Sequence, residues 1–228
     1  MSAKTNPPIH LITYNLRFHR AYEEVHQLVE GYNPDIVCIQ ECVVQNLDAR
    51  IGNLELVAKT TVGVQGLAIY TRGERFKLIR QYAEVLPFSY YERVRPEARE
   101  RLLVAELEDK KTGKRVVVGC FHATHLVATN YHRRKQITHT VDILDRLHAD
   151  SPIILAGDYN YPVFQTRLIR FMENHRLQLV IPTEYTHRNR VSHGKFDLAA
   201  SRNVRSITVE TLPQNGSDHR PVLVVTEV

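Results

Sequence analysis

Short apolar runs separated by turn residues dominate the hydrophobic pattern of the chain. Each run is shorter than a typical helix and is bounded by residues such as Gly, Pro, Asn or Asp, which is typical of buried strands. The pattern predicts about ten strands: Ile9 to Tyr14, Ile36 to Gln40, Leu54 to Lys59, Gly66 to Tyr70, Leu102 to Leu107, Val116 to Phe121, Ile153 to Ala156, Phe196 to Ala200, Ser206 to Glu210 and Val222 to Val225.

Three other segments show helical spacing of their apolar residues. The first, Ala21 to Gly31, ends at a glycine with Pro34 just beyond, which is a typical helix stop. The others are Asn130 to Ala149 and Thr166 to Asn174. Many strands with only three helices predict two packed β-sheets with helices on the outer faces. Because no linker or repeat interrupts the pattern, we predict a single domain over residues 1–228.

Polar side chains cluster at the ends of these predicted strands. Burying a carboxylate or an imidazole at such a position is costly unless another group pairs with it. Taken singly, each residue fits a turn or a local hydrogen bond, but six such strand ends in one chain indicate a common site. The residues are Asn15, Gln40 with Glu41, His125, Asp158 with Asn160, Asp197, and Asp218 with His219.

The composition is that of an ordinary globular protein with a modest basic excess. The chain has 228 residues, of which 43% are apolar, and a formal net charge of +5. Such a charge fits a polyanionic substrate without requiring one. The sequence shows no apolar leader and no run near the roughly 18 apolar residues that a membrane span needs. Its three cysteines form no disulfide framework. We therefore predict a cytoplasmic protein.

The ordered motifs resemble those of a known superfamily. "TYN", "IQE", "THL", "GDYN", "FDLAA" and "SDH" occur in the order typical of the endonuclease/exonuclease/phosphatase superfamily, and the resemblance runs from Ile12 to Val225. It implies a four-layer αββα sandwich with two packed mixed β-sheets. It also implies hydrolysis of a phosphate ester that depends on Mg²⁺ or Mn²⁺.

The resemblance implies a metal site at three of these residues. Glu41 matches the principal ligand, assisted by Asn15 and, from the opposite side, by Asp218. Carboxylate and amide oxygens are the hard ligands that suit Mg²⁺ and Mn²⁺.

The resemblance also implies catalytic roles. His219 matches a general base or a phosphate-polarising imidazole, and Asp197 matches the carboxylate that orients it. Asp158 and Asn160 match the pair that holds the attacking water and a phosphate oxygen. His125 matches the group that stabilises the pentacovalent phosphate or protonates the leaving oxygen.

Two alternatives concern the histidines around this last position. The segment "FHATHL" also offers His122, and motif matching alone favours His125. A zinc site formed by His122, His125 and His132 is a rival interpretation, but no cysteine lies near them at a metal-ligand spacing.

Basic residues lie next to the same strand ends. Guanidinium groups suit phosphate oxygens. In the segment "RVRPEARER", either Arg99 or Arg101 is expected to contact the substrate. The candidate substrate-binding residues are Arg17, Arg99, Arg101, Arg188 and Arg190.

The sequence departs from the apurinic-site repair branch of the superfamily, because Tyr14 precedes Asn15 where that branch has tryptophan, and the chain contains none. We predict a small monomeric nuclease that acts on DNA or RNA. The alternatives are a phosphatase or phosphodiesterase of inositol phosphates or sphingomyelin-like lipid headgroups, and a catalytically silent interaction module. Because all motif positions are filled, the silent module is disfavoured.

Overall fold

The computed structural model describes residues 6–61, 63, 65–88, 100–190, 192–213 and 216–228. Within these ranges the chain forms fifteen strands, three α-helices and one short 3₁₀-helix, Val44–Asn46. The strands are β1 (Ile9–Asn15), β2 (Ile36–Cys42), β3 (Arg50–Ile51), β4 (Leu54–Lys59), β5 (Gly66–Arg72), β6 (Phe76–Val85), β7 (Glu100–Asp109), β8 (Lys114–His122), β9 (Ile153–Asp158), β10 (Gln178–Val180), β11 (His187–Arg188), β12 (His193–Gly194), β13 (Asp197–Arg202), β14 (Ser206–Thr211) and β15 (Val222–Glu227). The helices are α1 (Tyr22–Tyr32), α2 (Asn130–His148) and α3 (Gln165–Asn174).

The strands form two large mixed sheets and a short hairpin. The first sheet has the order β14-β15-β1-β2-β5-β4-β3, and the second has the order β10-β13-β9-β8-β7-β6. Only the pairs β1–β2 and β8–β9 are parallel among the described strand pairs. Strands β11 and β12 pair with each other as the hairpin.

Three apolar clusters separate four layers. Alternate residues of both sheets, such as Leu11 and Ala156, meet between the sheets. The opposite face of the first sheet packs against α1, and the opposite face of the second packs against α2 and α3. This arrangement confirms the predicted αββα sandwich and follows from period-2 alternation in strands that are covered on both faces. No helix in the described ranges is both long and apolar enough to cross a lipid bilayer.

The topology brings the polar strand ends to one end of the sandwich. In the first sheet β1 and β2 run parallel and β15 runs antiparallel beside β1, so the ends of the first two meet the start of the third. In the second sheet Asp158, the last residue of β9, lies opposite both His122 of β8 and Asp197 of β13. The middle strands of each sheet thus present their polar ends on the same side.

All ten predicted strands and all three predicted helices are present, with shifts at their ends. The pattern missed β6, whose central residues Ile79 to Gln81 point largely to solvent and mix apolar with charged side chains. It also missed β3 and β10 to β12, which are too short to show a period.

Gly157 marks the closest approach between β8 and β9. Its φ is +150°, and a Cβ atom built there would lie 1.9 Å from the carbonyl oxygen of Phe121. The absence of a side chain at Gly157 therefore allows the end of β9 to pack closely against the end of β8. Asp158 follows Gly157 directly, so its position depends on this close packing.

We expect Gly157→Ala to destabilise the fold by at least about 3 kcal/mol, because the new methyl group overlaps backbone that cannot move aside. Gly113→Ala is the matched control: Gly113 also has a positive φ of +71°, but a Cβ there would meet nothing within 4 Å. This control should lose only about 1 kcal/mol. Urea unfolding followed by circular dichroism measures both, and equal losses would show that the close approach has no consequence.

Candidate active site

The polar strand ends surround a cleft of about 480 Å³. Glu41, Asp158, Asn160, Asp218 and His219 all line it. They come from β2, β9 and the segment before β15, so the cleft spans both sheets.

A β-bulge directs Glu41 into this cleft. The pairing of β2 with β5 shifts by one residue between Ile39 and Cys42, and Glu41 has a left-handed φ of +55°. Its Oε1 accepts a hydrogen bond from Asn15 Nδ2 at 3.3 Å, and its Oε2 accepts one from the backbone N–H of Phe18 at 3.0 Å. A left-handed φ is costly for a residue other than glycine, and bulges of this kind often re-aim a side chain beside a functional site.

Gln40 points the other way, into the space between the sheets. Its Nε2 donates to Thr13 Oγ1 at 2.9 Å and to Cys120 Sγ at 3.1 Å. The amide therefore links the end of β1 to the second sheet behind the cleft.

Asp158 is fully buried at the floor of the cleft. Its Oδ2 accepts hydrogen bonds from Asn15 Nδ2 at 3.1 Å and Asn160 Nδ2 at 3.0 Å, while its Oδ1 accepts one from the Asn160 N–H at 2.8 Å. Burial raises the pKa of Asp158 to about 7, with His219 opposing the rise and Asp197 and Glu41 adding to it. A carboxylate with a pKa near neutrality is suited to accept and release a proton.

His219 and Asp197 form a buried hydrogen-bonded pair. Nδ1 of His219 lies 2.8 Å from Oδ2 of Asp197, and Nε2 lies 3.8 Å from Asp158 Oδ2. Burial lowers the pKa of His219, but Asp197 and Asp158 outweigh it and raise the pKa to about 10. The hydroxyl of Thr186 accepts a hydrogen bond from the Asp197 N–H at 3.0 Å and so fixes the start of β13. The imidazole is thus held with Nε2 toward the cleft.

Asp218 lies on another side of the cleft, beside an arginine and a histidine. Its Oδ2 is 3.6 Å from Arg17 Nε and 3.7 Å from His187 Nε2. Although burial raises the pKa of Asp218, the neighbouring His187, His219 and Arg17 lower it to about 2. Asp218 is therefore an ionised oxygen donor at any physiological pH.

The structure places His122, not His125, between the carboxylates. His122 is the last residue of β8, and its Nε2 lies 3.6 Å from Glu41 Oε1 and 3.7 Å from Asp158 Oδ2. His125 is exposed on the rim of the same cleft. The alternating pleat explains the difference, because it fixes the direction of a residue inside the strand but not of one three residues beyond it.

The alternative zinc site is not assembled in the described part of the chain. The groups of three potential ligands that lie close together there are His187, Asp218, His219 and Asp158, Asp197, His219. Neither group contains His122, His125 or His132, and neither contains Glu41.

Arg101 determines the hydrogen position on His122. Its Nη1 lies 3.1 Å from His122 Nδ1, and a guanidinium can only donate, so Nδ1 accepts. Burial, followed by the charge of Arg101, holds the pKa of His122 well below its usual value. The ring is therefore neutral, and its hydrogen lies on Nε2, which faces Glu41 and Asp158.

The other predicted basic residues lie on the surface beside the cleft. Arg17 lines the cleft itself, and with Arg188 and Arg190 it lines an adjoining groove of about 610 Å³. Arg99 lies outside the described residues. Of the two alternatives in its segment, Arg101 is buried against His122 and does not lie in the groove.

His187 is a site residue that the sequence analysis missed. It is buried, its ring centroid lies 4.5 Å from that of His219, and its backbone forms a β-bridge with His219. The sequence analysis named the neighbouring Arg188 and Arg190, but the contact of His187 with His219 depends on the β11–β12 hairpin, whose first strand forms the β-bridge to His219.

The donor set fits a hard divalent cation. Glu41, Asp158 and Asp218 offer carboxylate oxygens to one cleft. Asn15 turns its Nδ2 to Glu41 and Asp158, and its Oδ1 accepts a hydrogen bond from the Arg17 N–H. Oxygen donors of this kind suit Mg²⁺ and Mn²⁺, whereas Zn²⁺ favours nitrogen and sulfur. A cation there would also offset the mutual repulsion that contributes to the raised pKa of Asp158.

A family model described as "Endonuclease/Exonuclease/phosphatase family" matches residues 12–219. The chain belongs to the endonuclease/exonuclease/phosphatase family. No curated protein sequence matches this chain significantly.

Solved structures share its fold at low sequence identity. An endonuclease/exonuclease/phosphatase from Bacteroides vulgatus superposes with a TM-score of 0.77 at 18% identity, covering 98% of this chain and 100% of that one. A mannosyl-6-phosphatase from Bacteroides thetaiotaomicron gives 0.75 at 16% identity, covering 96% and 100%. TDP2 from D. rerio, complexed with a single-stranded DNA product, gives 0.72 at 16% identity, covering 98% and 100%.

We expect His122 to be neutral with its hydrogen on Nε2 at neutral pH, because Arg101 occupies Nδ1 as a donor. Long-range ¹H–¹⁵N correlation spectra of ¹⁵N-histidine-labelled protein distinguish the two neutral forms and the imidazolium. Arg101→Met should remove the preference for the Nε2–H form. An Nδ1–H or doubly protonated ring in the unmodified protein would contradict the assignment.

Proposed function

We propose that this protein is a phosphoesterase that depends on Mg²⁺ or Mn²⁺ and cleaves phosphodiester bonds of nucleic acids. The observation that carries the proposal is the His219–Asp197 pair, 2.8 Å apart, facing a cleft rimmed by carboxylates. This combination supplies what phosphate-ester hydrolysis requires: a proton acceptor, a donor for phosphate oxygens and ligands for a cation.

The metal ligands in this proposal are Glu41, Asn15 and Asp218. A cation bound there would neutralise charge on the scissile phosphate and its leaving oxygen. Asn15 Nδ2 bridges Glu41 and Asp158, so the Asn15 side chain lies beside both carboxylates and would bind the cation through Oδ1 once the amide has turned over.

The remaining groups divide the proton transfers. His219, whose pKa is raised by two carboxylates, donates its Nε2–H to a phosphate oxygen. Asp158 accepts the proton of the attacking water, and Asn160 fixes the orientation of its carboxylate. His122 directs its Nε2–H toward the same space and takes the place that the sequence analysis gave to His125 as the donor to the pentacovalent phosphate. His125 remains a rim residue in reach of the substrate.

The adjoining groove favours a chain of phosphates over a single one. Arg17, Asn189 and Asp218 line both the cleft and the groove, and Arg188 and Arg190 line the groove but not the cleft. A second phosphate along a nucleic acid strand would lie beside these guanidinium groups. The DNA product bound by the D. rerio TDP2 fold supports this choice, while the B. thetaiotaomicron mannosyl-6-phosphatase defines the alternative of a small phosphomonoester.

We expect Glu41→Gln to weaken Mn²⁺ binding by at least about a hundredfold, because a carboxylate charge near a cation contributes about 4 kcal/mol at 4 Å in a surface site. Isothermal titration calorimetry measures the affinity directly and does not depend on a known substrate. Glu55→Gln is the control, since Glu55 lies on β4 and does not line the cleft. Unchanged Mn²⁺ affinity in Glu41→Gln would refute the metal assignment.

The substrate class is tested with a panel of single-stranded DNA, duplex DNA, RNA, an inositol phosphate, sphingomyelin and mannose 6-phosphate in Mg²⁺ or Mn²⁺. His219→Ala serves as the contamination control. We expect cleavage of nucleic acid, with affinity that falls steeply as salt rises, and Arg188→Gln with Arg190→Gln should reduce the slope of log K against log salt by about 1.5.

The charge-matched control for this slope is Arg50→Gln with Arg115→Gln, since both are exposed and neither lines the cleft or the groove. These changes should leave the slope almost unaltered. Activity confined to a phosphomonoester, or an equal effect of the two arginine pairs, would overturn the nuclease proposal.

A further inference from the structure

Phe18 lies in an unusual turn at the edge of the cleft. Arg17, Phe18 and His19 have successive φ angles of +49°, +56° and +68°, all in the left-handed region. The N–H of Arg17 donates to Asn15 Oδ1, that of Phe18 to Glu41 Oε2, and that of His19 to the Glu41 carbonyl, at 3.0, 3.0 and 2.7 Å. The turn is therefore held by Asn15 and Glu41, two of the three residues that are proposed to bind the metal.

This conformation is costly for a large aromatic residue. Left-handed φ angles are rare for bulky side chains, and a phenyl ring gains stability only when it is buried. Yet Phe18 is 49% exposed. Glycine would relieve the backbone at this position, and a polar side chain would suit the half of the residue that faces solvent. Residues held in such conformations cluster at active sites and ligand clamps.

The position of the ring indicates what it would contact. Phe18 lines the cleft together with Glu41, and Leu126 and Val127 from the β8–α2 connection line it as well. Val127 is 65% exposed. The cleft thus combines a charged floor with apolar side chains on its wall, and the arginine groove adjoins it through Arg17.

We propose that Phe18 is a stacking platform for the nucleobase next to the scissile phosphate, with Leu126 and Val127 completing the subsite. The proposal rests on the proposed function, because it takes the scissile phosphate to lie at Glu41. The backbone N–H of Phe18 donates to the Glu41 carboxylate, and Phe18 lines the same cleft as Glu41, so Phe18 lies beside the place proposed for that phosphate. A base offers a flat apolar face to the ring, while its phosphates face Arg17 and the groove. Stacking tolerates any base, so this subsite selects nucleotides without reading sequence.

The test compares two hydrolysis-resistant phosphorothioate strands of equal length and charge, one of thymidine and one of abasic residues. Binding is measured in Ca²⁺ by fluorescence anisotropy. Phe18→Ala is expected to weaken binding of the thymidine strand roughly tenfold and to leave the abasic strand unchanged. Phe18→Trp should keep the preference for bases, and Phe18→Leu should lose most of it.

Phe164→Ala is the matched control. Phe164 is also exposed, at 60%, and has a left-handed φ of +60°, but it does not line the cleft. It should leave the affinity for both strands unchanged.

Equal weakening of both strands by Phe18→Ala, or no weakening of either, would overturn the platform. Should Phe18→Ala fail to fold, Phe18→Leu and Phe18→Trp decide the same question. Hydrolysis by the unmodified protein is assayed separately in Mg²⁺. Absence of phosphodiester cleavage would refute the proposed function. A preference for the thymidine strand that depends on Phe18 would support the platform, and loss of affinity without such a preference would refute it.

Discussion

The side-chain amide of Asn15 joins carboxylates that come from different sheets. It donates to Glu41 on the first sheet and to Asp158 on the second, at 3.3 and 3.1 Å. Without such a bridge the two negative groups would face each other in a region of low dielectric, where repulsion is strong. Asn15 is itself held from behind, because the Ser217 hydroxyl donates to its carbonyl at 2.7 Å and accepts from the His219 N–H at 3.0 Å. The side chain of Asn15 thus connects the two sheets at the cleft, and its backbone carbonyl connects β1 to the residues before β15.

The sequence carried enough information to predict the sandwich and the place of most site residues. Alternation in the strands gave both sheets, and Asn15, Asp158 and Asp197 could be located because each ends or begins a buried strand. What escaped prediction depends on exact strand ends and on distant contacts. His122 belongs to β8 by a single residue, and motif spacing favoured His125. His187 acquires its place only when a two-residue strand forms a bridge to His219. Neither relationship leaves a periodic signal in the chain.

The cleft is also where the backbone departs furthest from relaxed geometry. Glu41 and the turn after Asn15 hold left-handed angles on residues that disfavour them, and Asn160 does so with a side chain that tolerates it. The surrounding hydrogen bonds compensate, since each strained amide in the turn has a partner. Backbone strain thus lowers the stability of the fold at the place where the carboxylates face one another, and such a loss of stability is common at functional sites.

The placement of β15 makes the cleft depend on a pairing between segments that lie far apart in the sequence. This strand inserts between β14, which precedes it closely in the chain, and β1, from which the whole second sheet separates it in the sequence. Asp218 and His219 immediately precede β15. Pairings of this kind form slowly, because the entropy lost on closing the long intervening segment must be overcome first. The two sides of the cleft are therefore brought together by a non-local step of folding, and no single local element contains them.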